Sequence, residues 1–162
     1  MARLLIVHHA PTPSVQELLD AVQSGARDDA IEGVTVTSVA ALEPDANAAL
    51  EADGLVFVTP ANFGYMSGAL KHFFDTIFLQ VGGALSDDGS ANGSAGGAKK
   101  SYGLVVHGRY DTTGAVRSVQ SIVQALPWTQ AAATVEVLGD VGEPELDRAR
   151  ELGATVAALI SD

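Results

Sequence analysis

The stretch from Asp53 to Phe78, DGLVFVTPANFGYMSGALKHFFDTIF, restricts the fold more than any other part of the chain. Leu55 to Thr59 is a short apolar run led by β-formers, the pattern of a strand buried on both faces of a parallel sheet. Met66, Ala69, Leu70, Phe73, Phe74 and Ile77 then recur every three or four residues, which lays one apolar stripe along a helix. Between strand and helix lies Pro60 to Tyr65, PANFGY. Pro60 lacks a donor and is expected to end the strand ladder, whereas Gly64 permits positive φ or a close backbone approach. Phe63 and Tyr65 put two rings at the carboxyl end of the strand, the edge where open α/β sheets take up ligands.

The rest of the chain repeats this plan. Arg3 to His9 reads as a first strand, and the turn Pro11 to Ser14 leads into a helix carrying Val15, Leu18, Leu19 and Val22. Thr12 as cap with Pro13 in the first helical position, or Ser14 with Glu17 as a capping box, would start that helix equally well. Gly33 to Ala40 alternates as a second strand nearer an edge, and Pro44 to Glu51 is a short helix. Ser101 to His107 is a fourth strand, followed by a helix with Val116, Val119, Ile122, Val123 and Leu126 on one side. Ala132 to Leu138 supplies the fifth strand, and Pro144 opens a closing helix through Leu146, Ala149, Val156 and Ile160. The Gly- and Ser-rich segment at about 81–100 leaves little to pack and reads as a mobile surface loop, a lid being the lesser alternative. Strands alternating with helices imply an α/β domain, expected as one unit over 1–162, with a parallel sheet, because each helix is the crossover that parallel neighbours require. The order 2-1-3-4-5 is one of two common doubly wound solutions.

Composition narrows the function. With no cysteine, disulfides, thiolate metal sites and cysteine nucleophiles are all excluded. A formal charge of −11 argues against nucleic acid and anionic membranes as partners, because both would repel the surface. No apolar run approaches the ~20 residues of a membrane span, and Leu4 to Val7 is too short for a secretory signal, which points to a cytoplasmic protein. His8 and His9 do not read as a metal site, since adjacent strand residues point to opposite faces.

Three loops converge on one edge of such a sheet: HHAPTPS, TPANFGYM and HGRYDTTG, after strands one, three and four. Thr12 and Ser14 stand beside a helix start, where amide donors and the helix dipole suit a phosphate, although an ordinary capped helix has the same residues. The other two loops offer small residues, amides and rings, a set suited to a planar aromatic ligand, with Phe63 or Tyr110 stacking upon it. The ordinary alternative for each ring is packing against the sheet edge.

Thr59 to Asp75, TPANFGYMSGALKHFFD, resembles the signature T-P-x-x-F-G-x-M-x-x-x-L-K-x-F-x-D of flavodoxin-like proteins, in particular their NAD(P)H:quinone and FMN reductase branch. The resemblance implies a flavodoxin-like three-layer sandwich with a five-stranded parallel sheet in the order 2-1-3-4-5. It implies bound FMN, with the phosphate held by His9, Thr12, Ser14 and the amide of Val15. The ring would lie against Pro60, Ala61, Asn62, Phe63 and Gly64 on one side and His107, Gly108, Arg109 and Tyr110 on the other. One departure stands out: family phosphate loops are rich in Ser, Thr and Gly, whereas Pro11 and Pro13 remove two amide donors here.

The function implied is an oxidoreductase that passes electrons from NAD(P)H through the flavin to a quinone or similar acceptor, with no catalytic side chain of its own. The rival readings are a non-enzymatic electron carrier serving a redox protein, and a flavodoxin-like binding domain that has lost FMN. A homodimer or tetramer is expected from the resembled reductases, with Trp128 and Tyr102 either at a contact or in the core.

Overall fold

The computed structural model describes residues 1–81, 99–126 and 128–161. Among the described residues five helices are interleaved with seven strands: β1 (Ala2–His8), α1 (Pro13–Ala26), β2 (Val34–Ala40), α2 (Ala46–Glu51), β3 (Gly54–Asn62), β4 (Tyr65–Met66), α3 (Gly68–Val81), β5 (Lys100–Gly108), α4 (Thr113–Val123), β6 (Trp128–Gln130), β7 (Val135–Leu138) and α5 (Glu143–Ile160). The Gly- and Ser-rich segment read as a mobile loop, or as a lid, falls almost wholly outside the described residues.

The parallel sheet runs β2-β1-β3-β5, and the place beyond β5 is shared by β6 and β7. This is the expected order 2-1-3-4-5 with its fifth strand divided. Lys100 to Tyr102 pair with β6 and Val105 to Gly108 with β7. The expected strand Ala132–Leu138 is thus shortened at its start, where Ala131 to Ala133 bring no β-branched or aromatic side chain to hold a pleated edge.

The expectation that Pro60 ends its ladder is corrected. β3 continues to Asn62, with Pro60 opposite His107 of β5. The Val58 carbonyl faces β1, where it accepts from the His9 amide at 3.0 Å, so Pro60, two residues on, has its donorless nitrogen on that same side. β1 has ended there, and no partner is deprived. β3 then doubles back on β4 in a hairpin the sequence reading did not foresee, with Ala61 opposite Met66 and Asn62 opposite Tyr65.

Both sheet faces are apolar, which is why the strands are near-continuous hydrophobic runs. Leu5, Val7, Leu55, Phe57, Leu104 and Val106 pack with Leu70, Phe73, Phe74 and Val119 of α3 and α4. Leu4, Ile6, Val56, Val58 and Val105 pack with Val15, Leu18, Val22, Leu152 and Val156 of α1 and α5. The result is three layers. Trp128 and Tyr102 are core residues, both packed on Phe57, with the Trp128 ring stacked at 6.2 Å. On the second face α1 and α5 touch backbone to backbone: a Cβ on Gly153 would stand 2.2 Å from the Val22 carbonyl oxygen, and one on Gly25 would stand 1.9 Å from that of Arg150.

Two of the helix starts facing the carboxyl edge have a local cause. Thr12 caps α1 from extended backbone and Pro13 takes the first helical position, the first of the two starts proposed above. Ser67 Oγ accepts from the Leu70 amide at 3.1 Å and so caps α3. At the opposite end of the sheet, buried Lys100 donates its ammonium to the carbonyls of Leu50 and Ala52 at the end of α2, and burial lowers its pKa against the opposing pull of Asp53. Among the described residues no helix is long and apolar enough to cross a membrane.

Candidate functional site

The loops after β1, β3 and β5 meet at the carboxyl edge and enclose a cleft of about 850 Å³. Its walls carry Thr12 and Ser14 from the first loop, Pro60 through Gly64 from the second, and His107 through Tyr110 from the third. Two further wall residues, Pro13 and Asp111, were not among those expected. A second pocket, of about 310 Å³, opens beside Arg3, Thr35, Thr37 and Glu51. It lies toward the amino end of the strands, away from the edge where α/β sheets place ligands.

Two expected residues are not on the wall. Val15 turns its side chain into the core, and its amide donates to Thr12 Oγ1 at 3.4 Å as part of the helix cap. His9 is held by its backbone against Val58, and His8 before it has its pKa lowered by burial first and by neighbouring His9 second.

The second loop is a two-residue hairpin turn with both central residues at positive φ, Phe63 at 52° and Gly64 at 73°. Gly64 was expected to permit positive φ or a close backbone approach, whereas Phe63 carried no such expectation, and a bulky residue adopts positive φ only against strain. The Phe63 side chain is nevertheless fully exposed, so no packing within the described fold compensates for the strain. Tyr110 across the cleft is 95% exposed. Two exposed rings thus stand on the loops that line the cleft.

The hairpin is tied down from below. Thr59 and Ser67, both fully buried, close the base of the loop: Ser67's amide donates to Thr59 Oγ1 at 3.1 Å and the two hydroxyls lie 3.0 Å apart. If Thr59 donates its hydroxyl proton to the Pro60 carbonyl at 2.9 Å and Ser67 donates to Thr59, every group in the network has a partner. The threonine of the signature therefore acts as a brace. From the side, the turn rests on the start of α4, where a Cβ on Gly114 would stand 1.8 Å from the Gly64 carbonyl oxygen. Ser118 Oγ accepts from the Met66 amide at 3.4 Å.

In the third loop, His107 Nε2 lies 2.7 Å from the Gly139 carbonyl oxygen, which can only accept, so this nitrogen carries the proton and the ring ties β5 to the turn after β7. Arg109 faces Asp140 at 3.5 Å in solvent. Asp111 accepts from the Thr113 amide at 2.9 Å, and that hydrogen bond holds its carboxyl below the usual range. Asp111 was legible as a turn residue two places before a helix amide, the spacing of an Asx turn.

Comparison with known proteins follows the same lines. The chain is 26% identical to a flavodoxin of Aquifex aeolicus over 129 residues, covering 70% of this chain and 69% of that protein. The solved flavodoxin of Streptococcus pneumonia TIGR4 superposes with a TM-score of 0.74 at 23% identity, covering 98% of this chain and all of that one. An azoreductase from Bacillus anthracis superposes with a TM-score of 0.73 at 18% identity, with coverage of 98% and 100%. At such identities these two structures establish the fold. The model of one family, NADPH-dependent FMN reductase, matches residues 37–137, more than half of the chain, including the braced aromatic hairpin and the third loop. The chain, an oxidoreductase of flavodoxin-like fold, belongs to the NADPH-dependent FMN reductase family.

Proposed function

We propose that the cleft takes up the isoalloxazine of FMN and that the protein passes electrons from NAD(P)H through it to a quinone or a similar small acceptor. The observation that carries this reading is the meeting of three loops in one cleft, with a strained, fully exposed Phe63 on one wall and an exposed Tyr110 on the other. A volume of about 850 Å³ is within the range of about 300–1,000 Å³ typical of small-molecule sites. The flavin, when bound, supplies two-electron chemistry with a nicotinamide.

The remaining work belongs to the chain. The backbone of Pro60 to Gly64 and of His107 to Gly108 would approach the ring edges, with Phe63 or Tyr110 against its face. Thr12 and Ser14, on the wall beside the start of α1, would meet the phosphate. The Thr59–Ser67 brace and the seat on Gly114 keep the hairpin from collapsing when the cleft is empty, so little is lost in ordering it on binding. No proton donor is demanded of the wall.

The test is a visible spectrum of the purified protein, an FMN titration, and NADPH or NADH oxidation in the presence of FMN and a quinone. Turnover above the free-flavin background is expected; its absence rejects the enzyme. The flavodoxin similarity favours a second reading, an electron carrier for a redox protein. Stopped-flow mixing separates the two, since a carrier holds FMN but is reduced slowly by nicotinamides.

A further inference from the structure

Charge is divided unequally between the two ends of the sheet. At the carboxyl edge, where the cleft opens, Glu43 and Asp45 follow β2, Asp140 follows β7, and Glu143 and Glu145 open α5. Glu17 is near the start of α1, and Asp111 stands on the wall itself. Asp111 takes its hydrogen bond from the uncharged amide of Thr113, which keeps the carboxyl ionised and leaves its charge whole. Cations on this edge are few. Arg109 on the wall faces Asp140 at 3.5 Å, and Lys71 in the first turn of α3 pairs with Asp75 at 2.6 Å. Arg117 is exposed on α4. The remaining lysines and arginines are elsewhere: Arg3, Arg27, Lys99 and Lys100 at the opposite end, and Arg148 and Arg150 farther along α5.

With a formal charge of −11 on the whole chain and this imbalance at one edge, the rim of the cleft lies in a negative field. The inner wall is different in kind. Pro60, Ala61, Phe63, Gly64 and Tyr110 make it largely apolar and aromatic, a surface for flat uncharged rings. The first loop has donors to set against a flavin phosphate, and a dinucleotide brings rings that bind in their own right. A small quinone with a sulfonate or carboxylate has nothing comparable to offset its charge, and an unpaired like charge raises the cost of the wrong partner.

We infer that the cleft selects its electron acceptor by charge, admitting uncharged or cationic quinones and turning away those that carry a sulfonate or carboxylate, an assignment that rests on the flavin reading above. In the overall reaction NAD(P)H gives up a hydride and becomes NAD(P)+, solvent supplies one proton, and the two carbonyl oxygens of the quinone end as hydroxyls, with the flavin restored. The charged substituent takes no part in that exchange, so it acts on entry alone. Electrostatic steering changes encounter rates by about 10- to 1,000-fold. The screening length is about 30 Å at 0.01 M salt and about 3 Å at 1 M, so the whole rim acts in the first condition and almost none of it in the second.

Nitroxides of one ring with a cationic, a neutral or an anionic substituent, added to the full chain at about 0.01 M salt, report the field through the relaxation of backbone amides. The amides of Ala61 to Gly64 and of Arg109 to Asp111 are expected to relax about threefold or more faster with the cationic probe than with the anionic one. Equal relaxation overturns the inference whether or not a flavin binds. Glu43→Gln combined with Glu143→Gln removes rim charge outside the wall and is expected to narrow that contrast at an unchanged thermal midpoint. A contrast left unmoved overturns the rim as its source. Turnover of the FMN-loaded protein is then followed with NADPH and three naphthoquinones: unsubstituted, sulfonated and bearing a quaternary ammonium. As salt rises from about 0.01 to about 0.5 M, kcat/KM is expected to rise about tenfold for the sulfonate, to fall for the ammonium and to stay within about twofold for the neutral ring. One common slope for all three overturns selection by charge and leaves the flavin reading standing. Turnover with none of them rejects the flavin reading and the selection together.

Discussion

Phe63 concentrates the tension between stability and function in one residue. Its positive φ costs about 1–2 kcal/mol for a side chain with a Cβ, and its exposed ring recovers none of that by packing within the described fold. Asn-Gly is the favoured pair for such a turn. Phe63→Asn is therefore expected to stabilise the protein by about 1 kcal/mol in urea unfolding, while flavin affinity falls about five- to tenfold with the lost ring face. Loss of stability, or unchanged affinity, would contradict this account. His8 supports a second prediction at this scale. Its folded pKa lies below the ordinary value because burial disfavours the imidazolium. Between the folded pKa and about 6.5 the unfolded chain binds more protons, so stability falls as pH drops through that window. The thermal midpoint should decline from pH 7.5 to 5.5, and His8→Gln should flatten the decline. An unaltered slope assigns the effect to other groups.

At the scale of elements, the β3–β4 hairpin is a part with its own supports: Thr59 and Ser67 beneath it, α4 beside it. Gly114→Ala tests the lateral support. On propensity alone the change would stabilise α4 by about 1 kcal/mol. Here the added Cβ meets the Gly64 carbonyl oxygen at 1.8 Å, so the turn must move. Flavin affinity is expected to fall at least tenfold with circular dichroism unchanged, because the turn lies outside both packed cores. Unchanged flavin affinity removes α4 from the site. Much of this part was legible in the sequence: the strand, the helix stripe, the aromatic turn and the flexible Gly64 were all readable between Leu55 and Ile77. The continuation of β3 past Pro60 was not, because it depends on which neighbour each residue faces, and β1 ends at His8. Nor was the backbone setting of Phe63, since its positive φ follows from the hairpin register.

For the whole molecule, the seat of α1 against α5 sets how closely the two helices of one layer lie side by side. Gly153→Ala would bring a Cβ to 2.2 Å from the Val22 carbonyl oxygen and push two backbones apart. A loss of about 3 kcal/mol is expected, a drop of roughly 6–12 °C in thermal midpoint for a chain of this size. A change under 2 °C would mean that the helices slide without cost. Sequence pattern by itself determined the α/β plan with its parallel sheet, because apolar periodicity and crossover length are local properties; it left the strand order as one of two common solutions, and the resemblance carried by Thr59 to Asp75 pointed to 2-1-3-4-5. Tertiary structure alone decided what holds the loop residues in place and which neighbours join them at the cleft. The Val15 amide went to the Thr12 cap, His107 became a tether, Thr59 a brace, and Pro13 and Asp111 joined the wall. The direction of a loop side chain depends on hydrogen bonds made across the fold, and no spacing along the chain encodes it.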